Sequence, residues 1–260
     1  MPPCDDRDAT RPKTFIFRLA IFAAIVAIPA TGAAQGFESV WPESEFHFMR
    51  LQYAAAGGYR YRGRSWDVDY PEAEFHFTQG VTRLTRVDIG EAGFADLLSD
   101  DLFDYPWLYA VEVGHWYLDD VYAARLREYL LRGGFLMVDD FHGSAEWQVF
   151  LESIKRVFPD RPIVDIADED EVLHVLYDVD QRIQIPGIGA AMSGRTWERD
   201  GVTPYWRGIH DDDGRLMVAI NFNMDLGDAW EHADTPQYPE PMTALAYRFA
   251  VNYVIYAMTH

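Results

Sequence analysis

The chain has 260 residues, of which 49% are hydrophobic, so it is long enough to bury the core of one large domain. Its 42 acidic residues outnumber its 22 lysines and arginines, which gives a formal net charge of -20. A surface with this charge repels nucleic-acid phosphates and anionic lipids, which argues against a nucleic-acid-binding protein and against a membrane-surface protein. Cations and neutral ligands are compatible with it.

The N-terminal segment has the order of a secretory signal peptide. Arg11, Lys13 and Arg18 precede an apolar run at 19–28, and small residues follow at 30–34. The run is shorter than the roughly 20 apolar residues of a membrane span, which favours cleavage over an uncleaved anchor. We therefore predict a signal peptide at 1–34, a linker at 35–45 and a single α/β domain at 46–260, in an exported protein that is periplasmic or secreted.

Strand and helix patterns alternate along the predicted domain. Strands are predicted at 46–53, 85–89, 107–113, 135–138, 162–166 and 216–222. Helices are predicted at 71–79, from Asp119 or Asp120 to Gly133, from an N-cap at Ser144 to Pro159, and at 242–258. The stretch 167–213 lacks periodicity apart from a short helix at 172–177, as in lids and binding loops. The alternation predicts an α/β domain with a mostly parallel sheet whose strands are joined by right-handed crossovers.

The first candidate site follows the strand at 135–138. Asp139, Asp140, His142 and Glu146 come directly after its apolar residues, and ligand crevices of open α/β sheets lie beyond the carboxyl ends of strands. Side-chain alternation sends Asp139 and Asp140 to opposite sides, so only one of them is expected to face the crevice. These four residues are candidate catalytic groups. The alternative is a loop whose side chains hydrogen-bond to the start of the next helix.

The second candidate site follows the strand at 216–222. Asp225, Asp228, Glu231 and His232 offer oxygen and nitrogen ligands that suit Mg²⁺, Ca²⁺, Mn²⁺ or Zn²⁺. Their spacing matches no diagnostic metal motif, so hydrogen-bonded loop acids are the alternative. If the two strands are parallel, both groups of polar residues lie at the same edge of the sheet, and a divalent metal is the one cofactor that these residues suit.

Aromatic and charged residues elsewhere are candidates for ligand binding. Trp66, Asp67, Arg207 and Trp230 are assigned to loops, where rings beside charged groups could stack on and hydrogen-bond a sugar. The other tryptophans assigned to loops are Trp116, Trp197 and Trp206. For any single tryptophan, covering the core is the more common role, and for Arg207 an ion pair with a nearby aspartate is the alternative.

Several motifs resemble a known bacterial family. They are RLQY, which includes Arg50, WDVDYP at Trp66, RGGFLMVDDFHG at Arg132, WRGIHDDDGR at Trp206 and NFNMDLGDAWEHAD at Asn221. In this order they resemble the family catalogued as domain of unknown function four-one-five-nine, over residues 46–260. The resemblance implies a flavodoxin-like, three-layer α/β domain with helices on both faces of the sheet, similar to class I glutamine amidotransferases and trehalose-utilisation-type proteins, and it implies no established reaction.

The cysteine content separates the chain from the amidotransferases, whose chemistry requires a thiolate. The only cysteine, Cys4, precedes the apolar run and is lost with the predicted signal peptide. Two hypotheses remain. The preferred one is an exported envelope domain that binds a small molecule or glycan, or that contacts other envelope proteins. The alternative is a cysteine-free, metal-dependent hydrolase of a glycan or amide, with Asp140 or Asp225 as base or metal ligand, His142 as acid/base and Arg207 as an anion clamp.

Overall fold

The computed structural model describes residues 44–56 and 65–260. The predicted signal peptide and the linker up to residue 43 lie outside this part of the chain, so they stay predictions. The described strands are β1 (Met49–Gln52), β2 (Ala54–Ala55), β3 (Gly93–Asp96), β4 (Trp107–Val111), β5 (Trp116–Tyr117), β6 (Phe135–Asp139), β7 (Val164–Asp165), β8 (Tyr205–His210) and β9 (Leu216–Phe222). The α-helices are α1 (Glu72–Leu84), α2 (Asp120–Leu131), α3 (Gly143–Val157), α4 (Ile188–Met192), α5 (Leu226–Glu231) and α6 (Glu240–Thr259).

Seven of these strands form one sheet with the order β3-β1-β4-β6-β9-β8-β7. The pairs from β3 to β9 are parallel, while β8 runs antiparallel to both β9 and β7. Strands β2 and β5 pair in a separate antiparallel ribbon. The strand order reverses between β1 and β4, and at such a switch point the carboxyl ends of parallel strands leave a crevice. The flavodoxin-like assignment implied by the resemblance stays a prediction.

Helices cover both faces of the sheet, so the predicted three-layer α/β architecture is confirmed. Buried residues of α1, α5 and α6 belong to the core on one face, and those of α2 and α3 belong to the core on the other. An aromatic cluster anchors the first of these faces. The ring centroid of Phe77 lies 4.9 Å from that of Phe48 and 4.8 Å from that of Trp230. Such edge-to-face contacts add to the free energy gained by burying the rings.

The two strands that carry the predicted polar residues form as the sequence indicates. β9 has the predicted bounds, and β6 extends one residue further than predicted, to Asp139. Every residue of both strands is buried, which is typical of parallel strands covered by helices on both sides. The strands pair directly, with Val138 opposite Ile220, so their carboxyl ends lie at the same edge of the sheet.

The helix boundaries confirm one predicted cap and correct another. The side chain of Asp119 accepts hydrogen bonds from the backbone N–H groups of Val121 and Tyr122, as expected of an N-cap. The predicted N-cap at Ser144 is wrong, because α3 begins at Gly143 and His142 occupies the cap position. Ser144 lies inside the first turn, where its backbone N–H and its hydroxyl both donate to Asp200.

One strand prediction and one prediction of irregular structure fail because tertiary pairing outweighs local propensity. Residues 85–89 form no strand, and only Ile89 makes an isolated bridge, to Phe46. The edge position is taken instead by β3, in which Gly93 lies opposite Met49. The predicted irregular stretch 167–213 contains α4 and β8, and the short helix predicted at 172–177 is a 3-10 helix at Glu171–Leu173.

Three of the tryptophans assigned to loops lie in regular elements. Trp116 is in β5, Trp206 in β8 and Trp230 in α5, and all three are buried. Their loop assignment is wrong, because polar and charged neighbours in the sequence masked the apolar pattern of these elements. Each element packs its tryptophan against the core. The predicted C-terminal helix is confirmed as α6. Within the described residues, no helix combines the length and apolarity that crossing a membrane requires.

Candidate functional site

The chain turns sharply at the carboxyl ends of three neighbouring strands. Glu112 follows β4 with φ 54°, Asp140 follows β6 with φ 48°, and Asn223 follows β9 with φ 64°. Left-handed backbone is uncommon outside glycine, and such conformations concentrate at functional sites. These turns bring polar side chains from three loops to the same edge of the sheet.

Asp139 joins the end of β6 to the start of α5. Its Oδ2 accepts hydrogen bonds from the backbone N–H groups of Leu226 at 2.8 Å and Gly227 at 3.0 Å, and from the hydroxyl of Tyr109 at 3.2 Å. Burial and the nearby Asp140 raise the pKa of Asp139 to about 8, although the hydrogen bonds to the backbone act in the opposite direction. Asp139 is fully buried, so its contacts position α5.

Asp140 and Asp225 meet a third carboxylate, that of Asp69. One oxygen from each of the three residues lies within 4.8 Å of the others, and we call this group the carboxylate triad. Asp225 also caps α5, because its Oδ1 accepts a hydrogen bond from the backbone N–H of Asp228 at 2.8 Å. His142 Nε2 lies 3.1 Å from Asp140 Oδ1, and its Nδ1 is buried with no hydrogen-bond partner among the described residues.

A buried arginine holds Asp69 in place. Arg50 of β1 donates hydrogen bonds to the backbone carbonyls of Trp66 and Val68, which fixes the turn that carries Asp69. The guanidinium of Arg50 also forms an ion pair with Glu74 of α1, so much of its charge is already compensated. Asp69 Oδ2 is buried and has no hydrogen-bond partner in the described part of the chain.

The triad therefore concentrates negative charge in a poorly solvated place. Burial, followed by the charges of Asp140 and Asp228, raises the pKa of both Asp69 and Asp225 well above the usual aspartate range. Among residues 44–56 and 65–260, no lysine or arginine forms an ion pair with the triad. Uncompensated buried carboxylates are costly, so the triad requires either bound protons or a cation.

A second group of ligand-type side chains lies at the end of β4. Glu112, His115 and Glu146 each place one ligand atom within 4.8 Å of the others. Glu146 is fully engaged, because its carboxylate lies 3.2 Å from His115 Nε2 and 2.7 Å from an Arg199 nitrogen and accepts from the backbone N–H of His142 at 2.6 Å. Because Arg199 pairs with Glu146, this second group, unlike the carboxylate triad, has an arginine that compensates part of its negative charge.

The two carboxyl groups of this second group have opposite pKa shifts. Burial would raise the pKa of Glu146, but the His115 contact, the His142 N–H and the charge of Arg199 lower it overall. Burial and the charges of Asp140 and Glu146 raise the pKa of Glu112 to about 9. Glu112 is therefore protonated at neutral pH, whereas Glu146 is ionised.

The predicted metal ligands divide between two places. Asp228, Glu231 and His232 form a third group within 4.8 Å, while Asp225 belongs to the carboxylate triad. Asp228 is partly committed, since its Oδ2 accepts a hydrogen bond from the backbone N–H of Ile188 at 2.6 Å. All three members are partly exposed, so water screens their charges more than those of the triad.

The segment between β7 and β8 lies against the polar residues at this edge. The side-chain amide of Gln184 donates hydrogen bonds to the backbone carbonyls of Gly201 and Asn223, both at 2.8 Å. The backbone N–H of Asp225 donates to the backbone carbonyl of Ile185. A Cβ on Gly187 would lie 2.8 Å from both Asp225 Oδ2 and Glu198 Oε1. Glycine thus lets this backbone approach the acids closely.

The predicted ligand-binding residues do not form one surface. The ring of Trp66 is half-buried and lies 5.1 Å from that of Phe94, and Asp67 is the last residue of the 3-10 helix Ser65–Asp67, which also contains Trp66. Trp230 has no exposed surface, so the prediction that its ring is available to a ligand is wrong. Arg207 lies in β8, outside the three ligand-type groups, and its Nε is paired with Asp165 Oδ1 at 2.9 Å.

Sequence reasoning missed Asp69, Glu112 and His115 as members of these groups. For Glu112 and His115 the signal was available, because they follow β4 just as Asp140 and His142 follow β6. For Asp69 no such signal was available, because its position depends on a turn held by Arg50, which is distant in the sequence.

The comparisons with known proteins agree with the family resemblance. Residues 47–258 match the model of the family described as "Domain of unknown function (DUF4159)". A search of curated proteins found no match. The matched segment includes the three loops that follow β4, β6 and β9, as well as Asp69. The chain belongs to the family of domains of unknown function DUF4159.

Proposed function

We propose that the chain is an exported envelope domain that binds a hard divalent cation in the carboxylate triad and uses it to hold an oxygen-rich ligand such as a glycan. The single observation that carries this proposal is the approach of Asp69, Asp140 and Asp225, none of which forms an ion pair with a lysine or arginine among the described residues. The glycan is proposed because hydroxyl oxygens suit the remaining coordination positions of such a cation.

Among the hard cations, Ca²⁺ suits the triad best because it accepts the widest range of oxygen distances and geometries. Three oxygens whose mutual separations do not exceed 4.8 Å all lie within about 2.8 Å of a common point, which is close to the roughly 2.3–2.6 Å at which Ca²⁺ binds oxygen. Mg²⁺ requires about 2.0–2.1 Å and a nearly ideal octahedron, so it tolerates less variation in the positions of the carboxylates than Ca²⁺ does. The contact between His142 and Asp140 would orient one ligand from outside the coordination sphere.

Calorimetric titration of the chelator-treated protein tests this proposal. We expect saturable binding of Ca²⁺, weaker binding of Mg²⁺, and loss of Ca²⁺ binding in Asp140→Asn. Glu152→Gln is a matched control, because it removes one exposed carboxylate from α3 and leaves the triad intact. If no divalent cation binds, or if Asp140→Asn and Glu152→Gln bind Ca²⁺ equally well, the proposed cation site is rejected.

A hydrolase is the second candidate, favoured by the arrangement of His142. One ring nitrogen contacts Asp140 while the other is buried without a partner among the described residues, and a histidine so oriented could transfer a proton. The test is turnover of a panel of glycans and amides in the presence of Ca²⁺. A hydrolase would lose turnover in His142→Asn while still binding Ca²⁺, whereas a binding domain would turn over none of the panel.

A further inference from the structure

A separate hollow of about 380 Å³ lies between α3 and the strands β7 and β8. Polar and apolar groups line it in similar proportion, and its apolar residues include Leu151 and Ile154 from α3, Phe158 directly after α3, and Ile209 from β8. A volume of this size is within the range of small-molecule pockets. None of its lining residues belongs to the three ligand-type groups at the carboxyl edge of the sheet.

Positive charge concentrates in this hollow although the chain carries a net charge of -20. Three cationic side chains line it, those of Lys155, Arg161 and Arg207, against one acidic side chain, that of Asp165. The helix dipole accounts for a lysine in the last turn of α3, but Arg207 comes from β8. Two independent elements thus place cations in one cavity.

Two of these cations keep terminal nitrogens that no described residue uses. Arg207 contacts Asp165 through Nε alone, which leaves its terminal nitrogens without an acceptor in the described chain. Its guanidinium is held over the rings of Tyr205 at 4.0 Å and Trp147 at 5.0 Å. Lys155 is exposed and pairs with no described acid. Both terminal nitrogens of Arg161, in contrast, donate to carboxylate oxygens of Asp212, although its buried Nε has no partner among the described residues.

We propose that this hollow binds an amphipathic carboxylate, with its apolar body between α3 and β8 and its head at Lys155 and Arg207. The planar guanidinium matches a carboxylate, and the ammonium adds a second charge without a fixed geometry. Apolar contacts along the walls supply the free energy of burial. This inference is independent of the cation site and does not rest on the proposed function.

Calorimetric titration of the purified protein with hexanoate, octanoate and decanoate, each below its micelle concentration, tests the inference. Burying one methylene is worth about 0.8 kcal/mol, so affinity should rise about threefold to fourfold per added carbon while the chain fits the hollow. Octan-1-ol has the same apolar body without the charge, and it should bind at least about tenfold more weakly than octanoate.

Two variants separate specific binding from general electrostatics. Lys155→Gln removes an exposed cation from the hollow and should weaken octanoate binding at least threefold without changing the affinity for octan-1-ol. Arg86→Gln is the matched control, because it removes one exposed charge that does not line the hollow and should leave binding unchanged. Absence of saturable octanoate binding, or equal affinities in wild type and Lys155→Gln, overturns the inference.

Discussion

Replacing Asp225 by asparagine should stabilise the cation-free protein and remove its response to Ca²⁺. Asp225 is 4% exposed, and its carboxylate approaches those of Asp69 and Asp140 within 4.8 Å. At an effective dielectric constant of about 20, two unit charges at this distance repel by about 3.5 kcal/mol. Raised pKa values show that protons already relieve part of this repulsion, so we expect a net gain of about 1–3 kcal/mol at neutral pH.

The substitution leaves the cap of α5 in place, because asparagine is as good an N-cap as aspartate. A gain of about 1–3 kcal/mol corresponds to a rise in melting temperature of roughly 2–12 °C for a domain of this size. Wild type should in turn gain about 2.7 kcal/mol when Ca²⁺ is present at a hundred times its Kd. Asp225→Asn should gain much less, because one of the three ligands has lost its charge.

Differential scanning calorimetry with and without Ca²⁺ measures both effects. Asp200→Asn is a suitable control, since Asp200 also accepts a hydrogen bond from a backbone N–H near a helix start but lies outside the triad. That control should keep the Ca²⁺ response and should not be more stable than wild type. The reasoning is refuted if Asp225→Asn melts below wild type without Ca²⁺ and still responds to Ca²⁺ as wild type does.

Further predictions concern pH and the core. The pKa of Glu112 is raised from 4.5 in the unfolded chain to about 9 in the folded state. Between these two pH values only the folded state keeps the proton, so the free energy of unfolding should decrease as the pH rises from 4.5 to about 9. Glu112→Gln should flatten this dependence in urea unfolding measured across that window, and an unchanged profile would contradict the assignment. Trp230→Ala should cost about 3–5 kcal/mol of unfolding free energy, since the ring is fully buried; a loss below about 1 kcal/mol by urea titration would contradict its place in the core. Arg50→Met should cost about 3–5 kcal/mol because it leaves Glu74 buried and unpaired. A double variant that adds Glu74→Leu should recover much of that loss in the same assay, and a purely additive result would argue against the ion pair.

The sequence predicted the central strands of the sheet because their signal is local. The continuous apolar runs that became β6 and β9 are each followed immediately by acids, so both the strands and their polar ends could be recognised. β3 was missed because a Gly-Phe-Ala-Asp segment has little intrinsic strand preference, and its pairing with β1 decides its conformation.

The candidate site was predicted in part, for a similar reason. Asp140 and Asp225 could be found from the strands that precede them, whereas Asp69 reaches them through a turn held by Arg50. Trp230 was predicted to bind a ligand because its acidic neighbours in the sequence resemble those of a ligand site. In the structure α5 turns that ring into the aromatic core, next to Phe77.

The most direct test of the cation site is the anomalous scattering of crystals soaked in Mn²⁺. We predict one strong peak within about 2.6 Å of an oxygen from each of Asp69, Asp140 and Asp225, and no such peak in crystals of Asp140→Asn. A wild-type crystal with no peak there, or with its only peak at Asp228, Glu231 and His232, would contradict the account.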